Sequence, residues 1–220
     1  MKGLLIKDLL LTKKQWKFLL LIFVISIFLM MTNSGYIFVI NYILFLLAMQ
    51  AVGTMAYDEY ENGYPYLLTM PVSRKTYVRE KYLLAALYAG GGIVLAYGLV
   101  RGMSFVRETQ IDTKELWVSL LASLMVLCVY DAVLIPIRLK YGVERSKIVS
   151  WLIFGGALVL FGGISYIKGF AATVKVAAAG FGRWMNTHAL DGCLLGVLLL
   201  TAVIFMSYRF SVRIMERKEY

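Results

Sequence analysis

The chain has 220 residues, 60% hydrophobic and only 16% charged, where a globular domain carries about 25% charged residues. From Phe18 to Tyr57 no Asp, Glu, Lys or Arg occurs, although ~20 apolar helical residues already cross the bilayer hydrocarbon. A soluble domain is excluded, and the net charge of +10 falls in short gaps between apolar runs, as membrane-surface flanks do and nucleic-acid-binding faces do not.

Residues 1–17, MKGLLIKDLLLTKKQWK, place Leu5, Leu9 and Trp16 on one helical face with Ile6 beside them. Lys7, Asp8, Lys14 and Gln15 fall opposite, and Leu4 and Leu11 interrupt that polar face. Two readings stand: a helix lying in the membrane interface, or a basic flank that fixes topology. No small-residue cleavage site follows the apolar run, so the segment is expected to be retained.

The expected fold is all-α, with six transmembrane helices at 18–31, 36–57, 82–100, 116–137, 148–167 and 192–208 as one membrane domain. The first is short, and Lys14 to Lys17 extend it by snorkelling. Thr32-Asn33-Ser34-Gly35 is a turn cluster that breaks the first apolar run. Barrel strands are excluded, because these runs lack alternation and exceed the ~10 residues such strands need. Lys and Arg number 17 in the gaps 1–17, 58–81, 138–147 and 209–220, against 6 in 32–35, 101–115 and 168–191. The positive-inside rule puts the first set, with both termini, in the cytoplasm. Residues 168–191 form an outer segment whose structure the sequence leaves open.

Chemical motifs are sparse. No P-loop, H-E-x-x-H, C-x-x-C or G-x-S-x-G occurs. Cys128 and Cys193 lie in apolar runs as packing residues, and His188 has no partners for a metal site. Gly90-Gly91-Gly92 reads as helix packing, and Gly98/Gly102 and Gly192/Gly196 are two G-x-x-x-G pairs of small weight. Asp131 is an acid within a span, seven residues before Arg138 and on the same helix face. It is either half of a structural pair or solvated helix end, or a group in a substrate path or conformational switch.

The link at 58–81 is the most informative stretch. Asp58, Glu59 and Glu61 form an acidic patch, Asn62-Gly63 is a turn, and Pro65 suits the first turn of a short helix. Tyr64, Tyr66, Leu67 and Leu68 give that helix an apolar surface, and Pro71 ends it. Ser73 is placed to cap the next helix, which runs through Arg79 and Lys81 into the third span. A short apolar helix between charges calls for a partner, or else lies against the bilayer by its tyrosines.

Glu61-Asn62-Gly63, Leu67-Leu68, Pro71-Val72-Ser73-Arg74, Tyr77-Val78 and Lys81, with the opening Leu4-Leu5-Ile6-Lys7-Asp8-Leu9-Leu10, resemble the membrane subunits of ABC-2 type transporters. The similarity is greatest to the compact six-span branch that includes the permease subunits of the phenol-soluble modulin exporter. The resemblance implies an interfacial elbow at 1–17 and a coupling helix after span two, docked on a separate ABC ATPase that binds ATP and Mg. Carried over, Glu61, Asn62, Gly63, Tyr64, Pro65, Leu67, Leu68 and Pro71 form the docking element. No cofactor and no catalysis are then expected on this chain. A second permease subunit, identical or related, completes the transporter in a bacterial cell membrane, exporting an amphipathic peptide or lipid-like substrate. The alternative is an ion- or proton-coupled transporter or channel using Asp131.

Overall fold

A computed structural model describes residues 2–32, 35–59, 73–109, 111–166 and 189–217. Side chains are described in these stretches except at 2, 153–154, 157–166 and 189–195. The docking element from Glu61 to Pro71, His188 and most of 168–191 lie outside the described residues.

Among the described residues all regular structure is helical: α1 (Lys2–Lys14), α2 (Trp16–Met31), α3 (Tyr36–Glu59), α4 (Arg74–Val106), α5 (Thr113–Tyr166) and α6 (Ala189–Arg217). Four of these helices contain a stretch long and apolar enough to cross a membrane, and a fifth span is counted if α1 and α2, bent by 61°, act as one. Six separate spans are therefore not shown among the described residues. With 16 residues, α2 rises only ~24 Å at ~1.5 Å per residue, short of ~30 Å of hydrocarbon. The expected fourth and fifth spans lie on two helical arms, together numbered α5, that meet at Gly142, where the backbone is not helical.

The core begins on α3, where Ile40, Ile43, Leu44, Leu47, Ala51 and Met55 are buried at helical spacing. This face packs against α4 and α5, while α6 packs on α5 and α4, α2 on α3, and α1 on α4 and α2. Lipid is as apolar as leucine, so close van der Waals fit rather than water exclusion holds such helices together. Ala85, Ala89, Gly92 and Ala96 supply that fit on α4, all buried and on one face. A Cβ at Gly92 would meet Leu44 Cδ2 at 2.7 Å, whereas Gly90, Gly91, Gly98 and Gly102 face open space. The close approach thus uses Gly92 and not the Gly98/Gly102 pair.

Ser73 caps α4 as expected. Its backbone is extended (φ −74°, ψ 149°) and its Oγ accepts from the Thr76 amide at 3.2 Å. Replacing it with Ala is expected to cost about 1 kcal/mol, read as a lower melting temperature in detergent, with Ser73→Asp retaining most of it.

The bend in α5 rests on Gly142, whose φ of 73° and ψ of 177° fall in a region that essentially only glycine adopts. A Cβ there would also sit 2.2 Å from Glu59 Oε1. Glu59 Oε2 accepts from the Val143 amide at 2.6 Å, so the last residue of α3 caps the second arm of α5. That amide is an orphan donor at a helix start, and a carboxylate suits the positive end of the helix dipole.

Candidate functional site

Charged side chains converge where α1, the end of α3 and the start of α4 meet. On α1 the buried residues Leu4, Asp8 and Thr12 recur every fourth position, while Ile6, Leu9 and Leu10 are exposed. The interior therefore receives a polar stripe and the surroundings an apolar one. Leu4, which interrupts the polar face on a helical wheel, belongs to the stripe that faces the protein.

Lys81 of α4 is the centre. Its Nζ lies 2.7 Å from Asp58 Oδ2 and 3.5 Å from Glu80 Oε2, and it also pairs with Asp8 Oδ2. Lys7 bonds Asp58 Oδ1 and stands 3.1 Å from Asp8 Oδ1. The Tyr77 hydroxyl donates to Asp58 Oδ2 at 2.9 Å, and Lys81 lies 5.1 Å from the Tyr77 ring centroid. Asp8, Asp58, Glu80 and Lys81 are all nearly inaccessible, while Lys7 is part-exposed. Three carboxyl groups thus share two ammonium groups. Glu80 joins the cluster through its contact with the Lys81 ammonium.

This cluster corrects the expected acidic patch at Asp58 and Glu59, while its third member, Glu61, lies outside the described residues. Asp58 is buried and paired, and Glu59 is committed to Val143. Further bonds bind the same region. Thr12 Oγ1 meets the Tyr88 hydroxyl, and Gln15 Nε2 donates to the Tyr57 hydroxyl at 2.6 Å. Arg74 Nη1 donates to the carbonyls of Met215 (3.1 Å) and Glu216 (2.7 Å), satisfying acceptors at the end of α6. Lys75 pairs with Glu216 at 3.4 Å. The first turns of α4 are thereby tied to α1, α3 and α6. Those elements all present the same end of the bundle to the residues that flank 60–72.

Asp131 lies in a second polar region, between α4, α5 and α6. The Tyr82 hydroxyl is 2.5 Å from Ser207 Oγ and 3.0 Å from Ser211 Oγ, and Ser207 bonds the carbonyl of Ala132. Asp131 is buried beside this group, with Oδ1 accepting no hydrogen bond among the described residues. Arg138 turns to α3, where Nη1 donates to the Val52 carbonyl at 2.8 Å. Asp131 and Arg138 thus reach toward different neighbours despite their shared helix face.

Lys7, Asp8, Tyr77, Glu80 and Lys81 were not legible as a group in the sequence. One signal existed: Asp8 is the only acid in residues 1–57. Among the described residues no cluster of three or more His, Cys, Asp or Glu has the arrangement of a metal site.

In comparison with known families, the family model described as ABC-2 family transporter protein matches residues 3–216. The chain belongs to this family. No match is found among curated proteins or among solved structures. The ABC-2 permeases are membrane components of transporters, normally work with an ABC ATPase and are generally not themselves catalytic. With its apolar helices, this ABC-2 protein is a multi-pass membrane protein.

Proposed function

We propose that this chain is the membrane subunit of an ABC exporter, moving an amphipathic or hydrophobic substrate, such as a peptide, on ATP hydrolysis by a separate ATPase. The ATPase docks on Glu61, Asn62, Gly63, Tyr64, Pro65, Leu67, Leu68 and Pro71, at the cytoplasmic end, and a second permease subunit completes the complex. The motif resemblance to the compact branch that includes the phenol-soluble modulin exporter supports this reading.

The observation that supports this reading is the Lys81 cluster. A segment that receives force must be rooted in the elements it moves, and both roots of residues 60–72 are fastened. Asp58, two residues before the segment, and Lys81, nine after it, are joined at 2.7 Å and both bind α1. Arg74 adds α6. Displacement of the link is then carried to several helices together, as a rigid-body transition requires.

Co-purification of the tagged chain from its own membrane tests this. A near-stoichiometric P-loop ATPase is expected, lost in Leu67→Asp while the chain still inserts. A functional chain free of any ATPase would sink the proposal and return weight to the ion-coupled alternative. In that case transport under an ion gradient would be abolished by Asp131→Asn.

A further inference from the structure

Two cavities lie side by side between α3 and α5. The first, about 540 Å³, is lined almost wholly by apolar groups, among them Phe38, Tyr42, Val126, Leu127 and Val133. The second, about 520 Å³, is lined by Met49, Leu134 and Trp151 together with Arg138, Lys147 and Ser150. Phe45 and Tyr130 line both, their rings edge-to-face at 5.3 Å, so the two spaces adjoin at this pair and are taken together as one groove. It is apolar along most of its length and basic at one end.

Length and charge define what fits. From Ser123, in the first cavity, to Arg138, in the second, α5 rises roughly 22 Å at ~1.5 Å per residue. Half of a ~30 Å hydrocarbon layer is ~15 Å, which leaves several ångströms for a headgroup. Residues 138–147 carry Arg138, Lys140, Arg145 and Lys147 against Glu144 alone. Lys147 is well exposed, and its contact with Glu144 at 3.7 Å on the same helix is a surface pair of small energy. Arg138 is anchored on the Val52 carbonyl, which fixes a guanidinium at the groove's end. Guanidinium is the group of choice for phosphate. The basic end lies at the same end of the bundle as Glu59 and Asp58, since Glu59 caps Val143. The charge bias assigns that end to the cytoplasmic leaflet, where anionic lipids concentrate.

We propose that the groove between α3 and α5 binds one anionic phospholipid, its phosphate at Arg138 and Lys147 and an acyl chain along Phe45, Tyr130 and Val126. The groove opens sideways along exposed apolar residues, including Trp151 at 79% and Val126 at 68% exposure. A lipid would reach it from the bilayer along these exposed residues. This assignment does not depend on how transport is energised.

Trp151 reports directly on occupancy. A chain with Trp16, Trp117 and Trp184 changed to Phe keeps one indole, at the basic end. In phosphatidylcholine vesicles, brominated phosphatidylglycerol is expected to quench it at severalfold lower mole fraction than brominated phosphatidylcholine. Lys147→Gln, an exposed change, should bring the two curves together. Equal quenching by both lipids in the parent would overturn the proposal in favour of ordinary lipid contact. Absence of quenching by either would overturn it in favour of a second protein chain covering the groove. A preference that survives Lys147→Gln would also reject it as drawn. An independent check uses the unaltered chain, extracted gently from a membrane of mixed phospholipids. Phosphatidylglycerol should be retained above its bulk proportion, and Lys147→Gln should lose that enrichment; retention at bulk proportion in the parent refutes the site.

Discussion

Lys81→Met is expected to be the most damaging single change in the described structure, at about 3–5 kcal/mol. The methionine fills a similar volume, so packing is largely kept and the loss is electrostatic. What remains is Asp8, Asp58 and Glu80, each nearly inaccessible, facing one another with only the part-exposed Lys7 to balance them. Burying such groups unpaired costs far more than the pair itself contributes, because the desolvation penalty stays after the attraction has gone. Domains are stable by only about 5–15 kcal/mol, so Lys81→Met should give a poorly dispersed protein with a sharply lower melting temperature. Adding Asp58→Asn removes one stranded charge and should recover part of the loss. If Lys81→Met melted like the parent, the buried pairing would be refuted, and with it the fastening on which the proposed route of force depends.

Gly142→Val is the second large effect. Two costs add at this residue. A backbone conformation that essentially only glycine adopts costs ~1–3 kcal/mol for another residue, and the new Cβ lands 2.2 Å from Glu59 Oε1. The carboxylate must then leave, and the Val143 amide loses the acceptor that caps the second arm of α5. A loss of several kcal/mol is expected, with Gly142→Ala intermediate. Gly91→Ala is the control, since its Cβ would meet nothing within 4 Å. Thermal unfolding of the three variants in one detergent decides the matter, and equal melting of Gly142→Val and Gly91→Ala would show that the bend does not need glycine. Glu59→Gln separates the two costs, for it weakens the cap and leaves the backbone conformation untouched.

The sequence discloses those features that are written locally. The turn cluster around Thr32 to Gly35 separates α2 from α3, and Ser73 starts α4 because a β-region hydroxyl residue before a helical run has few other uses. Helical class follows equally directly from unbroken apolar runs. Less legible was the stretch 138–147, which reads as a polar gap. Its charged residues sit on two helical arms that run up to either side of one non-helical residue, because Gly142 comes without the Pro, Asn or Asp that usually marks a longer break. The buried cluster was hidden for a different reason. Asp58 finds its partners 51 residues upstream in Lys7 and 19 downstream in Tyr77. No periodicity links such positions, and an acid next to Glu59 and Glu61 looks exposed until the fold supplies the opposite charges. Asp131 shows the converse, since i, i+7 spacing puts Arg138 on its face while the neighbouring α3 offers that guanidinium a carbonyl.

The separation of Asp8 and Lys81 by 73 residues bears on the order in which the protein is made. Asp8 is made 73 residues before Lys81 and cannot meet this ammonium until α2 and α3 have been synthesised and α4 has begun. For all of that interval its carboxylate has to remain hydrated, and Lys7, its neighbour in the chain, is the one cation of the finished cluster already at hand. The buried place of Asp8 on α1 is therefore completed only once α4 has joined the bundle, and a helix with a polar stripe can wait at the water boundary until then.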